Sequence, residues 1–396
     1  MGSLEPSPPL PDARLEGLQL SHPTPTECLK IWELTSLAWR DALTLPLYLE
    51  ESNFLTSVPL AKDGGMTLWV LVDNKLPLDQ RTILCSCETF LKRAFISTQG
   101  VVTEKIVHGV ASVFCDPIYR GRGYAARMMK ELAKLLPTWQ TETMECIGSV
   151  LYSDIGKNYY TNLGWHPFPN NSHIELPPLK AAKPLGVMEL LAGDLEQLCA
   201  QDEIMARKAL AYPSDQQARM MLIPDLDHML WHHMKEEWVC DKIFGKKPQI
   251  KGAIAGPPGK RVWVIWTHRF YGDPELATSG NTLYILRLVI ENRTTLDTIL
   301  ARNEDDPREE AEFEMQAEHL KSVLQTAQAE AAEWRLSHVN LWDPSNAVYE
   351  LLGKIGFLYS RVDRETEGVA SLLWYGEGSG REDSLEWVAN EKYAWC

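Results

Sequence analysis

The chain has 396 residues, too many for one ordinary hydrophobic core, so two or more domains are expected. Hydrophobic residues make up 45%, a globular share, and no run approaches the roughly 18 uncharged apolar residues that a membrane span needs. Asp and Glu outnumber Lys and Arg by 54 to 39, which argues against a nucleic-acid partner and makes small cations the natural guests.

In chain order, residues 1–14, "MGSLEPSPPLPDAR", carry prolines and acids where a signal peptide needs a basic start and an apolar core, and read as a disordered leader. "GLQLS" reads as a short strand. The helix that follows has Thr24 as its cap, Pro25 at its first position and Glu27 completing a capping box. A second short helix extends to about residue 56. "MTLWVLVD" and "RTILCSCETFLKRAFIS" are rich in β-branched and aromatic residues and predict an antiparallel pair. "EKIVHGVASVFCDP" is a fourth strand. The helix opening near Gly123 puts Ala125, Met128, Met129, Leu132, Leu135 and Leu136 on one face. "ECIGSVLYSDIG" is a fifth strand, and "KNYYTNLGW" a short helix stopped by Gly164.

Residues 168–185, "FPNNSHIELPPLKAAKPL", are crowded with prolines and polar groups, which places a domain boundary there. Beyond it the pattern partly repeats. "RVWVIWTHRF" and "NTLYILRLVIEN" form a strand pair, an acidic helix follows, and "SHVNLWDPSNAVYELLGKIGFLYSRV" restates "GSVLYSDIGKNYYTNLGW". The copy reads "LVIENRTTLD" where the first half has its glycines, and carries Leu352 at the place of Tyr160.

Arg120, Gly121, Arg122, Gly123, Tyr124 and Ala125 stand between a strand and a helix. Glycines let a backbone approach closely, free amides at a helix start point outward, and the dipole and arginines favour an anion, so the stretch is physically a phosphate cradle. It does not read as a Rossmann GxGxxG turn, because Ala126 stands in the last position and the neighbouring strands read as antiparallel rather than parallel. "AGPPGKR", the nearest thing to a Walker loop, lacks the Ser or Thr after Lys260 and reads as a turn.

Arg120, Gly123 and Ala125 match the R/Q-x-x-G-x-G/A signature of the GNAT acetyltransferases, which residues 15–170 resemble; Tyr160 to Trp165 match the later Tyr-x-x-x-Gly-Phe motif of that family. "WVLVD", "SCETF", "SVFCDP", "VLYSDIG" and the terminal "YAWC" are similar to the fungal lysine N-acetyltransferases. The resemblance implies an α/β GNAT fold, a mixed and mostly antiparallel sheet flanked by helices, over residues 15–175, and a degenerate GNAT-like domain over 186–396. It implies acetyl-CoA as co-substrate, gripped at its diphosphate by residues 120–125 and along its arm by backbone groups of Val113, Phe114 and Cys115, where the fourth and fifth strands splay apart. The acceptor it implies is a small amine, with free L-lysine the specific expectation and N6-acetyl-lysine the product. A peptide acetyltransferase and an idle acyl-CoA sensor are the competing readings.

Tyr160 is then the expected acid for the departing thiolate. Glu88 in "CETF" and His108 just before the splay are the candidates for the base or, for Glu88, for holding an ammonium. His228, His232 and His233 lack the Glu and third ligand of a zinc motif, and no metal is expected. The end, Tyr393 to Cys396, is aromatic where chain ends are usually polar, and should dock as an anchor between domains. Eight cysteines without a CxxC pair fit a reduced, cytoplasmic protein.

Overall fold

The computed structural model describes residues 10–212, 218–276, 279–291, 307–376 and 385–396. Its first half runs β1 (Leu18–Ser21), α1 (Pro25–Trp39), α2 (Leu45–Leu55), β2 (Met66–Asp73), β3 (Cys85–Thr98), β4 (Val101–Phe114), α3 (Tyr124–Leu135), β5 (Cys146–Ser153), α4 (Asn158–Thr161), β6 (His166–Pro167) and β7 (Ser172–Leu176). Strands β1 to β4 form an antiparallel meander, and β5 joins β4 in parallel after the α3 crossover. The capping box at α1 is present in full: the Glu27 amide donates to Thr24 Oγ1 (3.1 Å) and the Thr24 amide to Glu27 Oε2 (2.9 Å). Glu27 is itself buried beneath a two-pronged contact from Arg81, which satisfies the carboxylate where water cannot.

Residues 10–14, assigned to a leader by their composition, pack against α3. Tyr124 donates its hydroxyl to Pro11 O, and Arg127 donates to Ala13 O (3.2 Å).

The second half runs β8 (Val187–Leu190), α5 (Leu195–Leu210), β9 (Ala218–Leu222), α6 (Leu226–Phe244), β10 (Gly252–Ala255), β11 (Val262–Arg269), β12 (Thr282–Ile290), α7 (Pro307–Glu333), β13 (His338–Trp342), α8 (Asn346–Lys354), β14 (Ser360–Asp363), β15 (Val369–Trp374) and β16 (Leu385–Trp387). It repeats the first: β12, α7, β13 and α8 correspond to β4, α3, β5 and α4, down to the parallel β12/β13 pairing. The stretch 292–297 of "LVIENRTTLD", where the copy loses the glycine loop, lies outside the described residues.

The halves exchange strands. β7, inside the Pro-rich stretch 168–185, pairs with β13 and β14 in the second sheet. In return β15 pairs with β5 and β6 in the first, and β9 lengthens the first sheet along the far end of β3. The exchange is pinned by Asn171, whose side chain accepts from the Ala370 amide (2.7 Å) and donates to Phe168 O.

Faces follow from period-two alternation. Trp69, Cys85, Cys87 and Leu151 point to α3 and pack on Met128, Met129 and Leu132. Ala94, Val107, Val150 and Leu372 point the other way and share a core with Trp263, Ile265 and Leu286 of the second sheet. The opposed faces part toward α1, α2 and α6, and a cavity opens there.

Candidate active site

β4 runs to Phe114 and β5 to Ser153, yet their pairing ends at Val110 and Leu151. The expected splay is therefore present. At its edge β4 bulges: two steps along β3, from Ser86 to Glu88, face three along β4, from Phe114 to Ala111. Ser112 takes up the extra residue at φ 52°, a left-handed conformation uncommon for a residue with a Cβ. The Val113 amide thus sits beside the gap.

On the α3 side of the gap lies the glycine loop. Gly121 (φ 75°) and Gly123 (φ 86°) adopt conformations that only glycine enters freely, and Gly123 caps α3. The first hydrogen bond into the helix is donated by Arg127 to Gly123 O (2.9 Å). The amides of residues 121–126 donate to no acceptor among the described residues, and Gly121 to Gly123 are exposed. Free amides on an open loop at a helix start suit a diphosphate. Arg120 folds back, donating to Cys115 O (3.0 Å), while Arg122 is exposed beside the glycines. Tyr160, held on α4 between the loop and β3, is buried, and burial raises its hydroxyl pKa further, with Tyr159 adding to it. It stays protonated at neutral pH.

On the other side of the gap is a cavity of about 870 Å³ walled by both halves. Glu88 projects into it from β3. The Ser112 hydroxyl donates to Glu88 Oε2 (2.9 Å), and burial raises the Glu88 pKa against the lowering effect of that bond and of Lys235. A carboxyl displaced upward in this way is a better proton acceptor for an amine than a solvated one.

His108 is not part of this arrangement. It pairs across from Leu91, so it points to the α3 face, opposite to Glu88. It is fully buried, its ring contacts Gln140 Oε1 (3.3 Å) and Cys146 Sγ (3.4 Å), and burial lowers its pKa to about 4. The geometry corrects the expectation that His108 shares the site.

The chain end docks as its aromatic residues predict. Tyr393 is fully buried with its hydroxyl on Leu222 O, and Lys92 donates to Ala394 O (3.0 Å) while touching Cys396 Sγ. Lys92 reaches the end by crossing Gly109, where any Cβ would fall 2.4 Å from Lys92 Cε. Trp395 and Cys396 thereby become cavity wall. The three histidines of α6 each have a separate partner on one ring nitrogen: His228 on Asp225 (2.7 Å), His232 on Tyr393 O (3.2 Å) and His233 on Trp266 O (2.9 Å).

Sequence reasoning did not find Arg364, Lys392 or Trp342, which also line the cavity. None belongs to a motif; only the unusual terminus, one residue beyond Lys392, drew attention to that region.

Two sheets with a parted parallel pair, an amide-rich loop at the helix that follows, and a carboxyl in the cleft define a GNAT-type acyltransferase. The chain belongs to the LYC1 GNAT-like C-terminal domain family, whose profile matches residues 173–396, more than half of its length. Its fold is similar to that of a Saccharomyces cerevisiae N-myristoyltransferase with bound myristoyl-CoA and inhibitors (10% identity, 96% of this chain and 84% of that one, TM-score 0.51). It is also similar to a GCN5-related N-acetyltransferase from Kribbella flavida (14% identity, 93% and 73%, TM-score 0.50). Among curated proteins, none is matched by the sequence of this chain. No helix among the described residues is long and apolar enough to cross a membrane.

Proposed function

We propose that the protein transfers the acetyl group of acetyl-CoA to the amine of a small cationic acceptor, free L-lysine being the acceptor that fits best. The observation that carries the reading is the gap between β4 and β5, with the amide loop of residues 121–126 on one side and the Glu88 cavity on the other. A cavity walled by the second half and by Trp395 and Cys396 supports a small acceptor over a peptide.

Residues Gly121 to Ala125 hold the diphosphate, and the exposed Arg122 adds charge. Val113, Phe114 and Cys115 border the arm, and the Val113 amide at the bulge faces the thioester oxygen, the contact that usually contributes most to acyl transfer. A lysine ε-amine reacts only when neutral, which at pH 7 costs about 4.6 kcal/mol for a pKa of ~10.4. Glu88 takes that proton, directly or through one water, with Ser112 orienting the carboxyl. Attack forms the C–N bond, the C–S bond breaks, and Tyr160 supplies the proton that the sulfur carries away. The second proton of the amine leaves to solvent as the amide forms.

Incubation with acetyl-CoA and a panel of free amines beside lysine-bearing peptides, followed by CoA release and product mass, tests this. Acetylation of free lysine ahead of the peptides is expected. Transfer to peptides alone, or none to any amine, refutes it.

A further inference from the structure

We propose that the end of the cavity at Arg364 and Lys392 is a carboxylate-binding subsite, so that the acceptor is an amino acid lying with its carboxylate there and its reacting amine at Glu88. This rests on the acetyl-transfer reading above and deepens it.

Four cations line the cavity. Two are neutralised: Lys235 by Glu51 (2.7 Å) and Arg269 by Asp41 (2.5 Å). The other two are not. Arg364 is 6% exposed; its Nε donates to Gly368 O (3.2 Å) and Nη1 to Ser172 O (2.6 Å), but buried Nη2 has no hydrogen-bond partner among the described residues. Lys392 is 4% exposed, and its Nζ makes no hydrogen bond or ion pair among the described residues. It rests instead among rings, 3.5 Å from the Trp395 centroid, 4.1 Å from Trp342 and 4.5 Å from Tyr284. Arg364 packs on the same Trp342 indole at 3.9 Å.

Aromatic faces attract a cation but do not replace an anion. Two buried cations without an ion pair, both against one indole, are unfavourable unless something negative joins them. Burial lowers the pKa of both, of Arg364 to about 10 and of Lys392 well below its usual range; Arg269 and Arg364 push Lys392 the same way, while Asp154 and Cys396 oppose it. The carboxylates of Asp154, Asp363, Glu365 and Glu367 also line the cavity, but none forms an ion pair with Arg364 or Lys392 among the described residues, so that end is the place left for an anion from outside.

The spacing agrees. Cys87 and Leu151 point to α3, so their neighbours Glu88 and Tyr152 face the cavity from the same side of the sheet, two strand positions apart, or about 10 Å. The Tyr152 ring lies 6.1 Å from Trp342. A ligand with an amine at Glu88 and an anion at Lys392 is therefore an extended one. Glu88 at one end and two cations at the other read the charge pattern of a basic amino acid.

The test compares L-lysine with 1,5-diaminopentane, which is lysine without its carboxylate, in the full-length protein. It uses the wild type, Lys392→Met and Arg364→Lys, reading kcat/KM from CoA release and affinity by calorimetry. Lys392→Met keeps an unbranched apolar chain among the rings, and Arg364→Lys keeps the charge while losing the unpartnered nitrogen. Each variant is expected to lower the ratio of lysine to diamine, in kcat/KM and in affinity, by roughly 10- to 100-fold, carried mainly by KM for lysine. An unchanged ratio in properly folded Lys392→Met, or an equal loss for both ligands, overturns the subsite while leaving the reaction in place. If neither ligand is acetylated the reaction reading falls, and selective loss of lysine binding in the variants still supports the subsite.

Discussion

Replacing Glu88 by Gln tests the proton acceptor with little change of shape. The Ser112 hydroxyl that donates to Glu88 Oε2 at 2.9 Å can donate equally to an amide oxygen, so the β4 bulge and the cavity wall keep their geometry. What the variant loses is the ability to take a proton. General-base assistance contributes about 10²- to 10⁴-fold, or ~2.7–5.5 kcal/mol, a range that brackets the ~4.6 kcal/mol needed to deprotonate a lysine amine at pH 7. At pH 7 the turnover of Glu88→Gln is therefore expected to fall at least about 100-fold with acetyl-CoA affinity unchanged. The pH profile separates causes. Because burial raises the Glu88 pKa, wild-type activity is lost as pH falls through that raised value, where the carboxyl becomes protonated. The variant has no such limb, and its rate climbs with pH as free amine accumulates, approaching the wild type near pH 10. Initial rates of CoA release from pH 5 to 10 provide both readings. A variant within a few-fold of wild type at pH 7, with the same acid limb, refutes the assignment.

Tyr160→Phe, at a buried hydroxyl kept protonated by its surroundings, is expected to lower kcat by about 10²-fold while acetyl-CoA binds normally by calorimetry. Gly123→Ala forces a Cβ into φ 86°, costing about 1–2 kcal/mol at the mouth of α3, and should weaken acetyl-CoA binding several-fold with little effect on the amine KM. Arg81→Ala strands the buried Glu27 carboxylate and should cost about 3–5 kcal/mol, seen as a lower urea midpoint. The Arg81 bond lowers the Glu27 pKa, so wild-type stability from this pair is held above the unfolded-state carboxylate pKa and lost as pH falls through the lowered one. The variant should show a flatter acid limb in melting temperature.

Where function depends on local chemistry, the sequence was readable. The positive-φ turn at Gly121 and Gly123, the capping box of Thr24 and Glu27, and the repeated strand and short helix each rest on residues close together in the chain. The side of the sheet that His108 takes was readable too. Gln99 and Gly100, both at positive φ, make a two-residue hairpin between Thr98 and Val101 and fix the register. Counting back from that turn pairs His108 with Leu91 and separates it from Glu88. The exchange of β7 and β15 was not readable, because a five-residue strand among prolines chooses its sheet by partners more than 150 residues away. Arg364 and Lys392 were hidden for a related reason: a cation without a partner has no spacing signature, and its isolation exists only once both halves have folded.

The crossed strands have a bearing on how such a chain can be cut, split or diversified. Severing it between β7 and β8 gives two fragments that each lack a strand the other holds, with raw sheet edges prone to aggregation, so neither should fold in isolation. The eroded copy is consequently not free to disappear. Each copy completes the other's sheet, β7 in one direction and β15 in the other, and this interlock keeps the two together however their sequences drift.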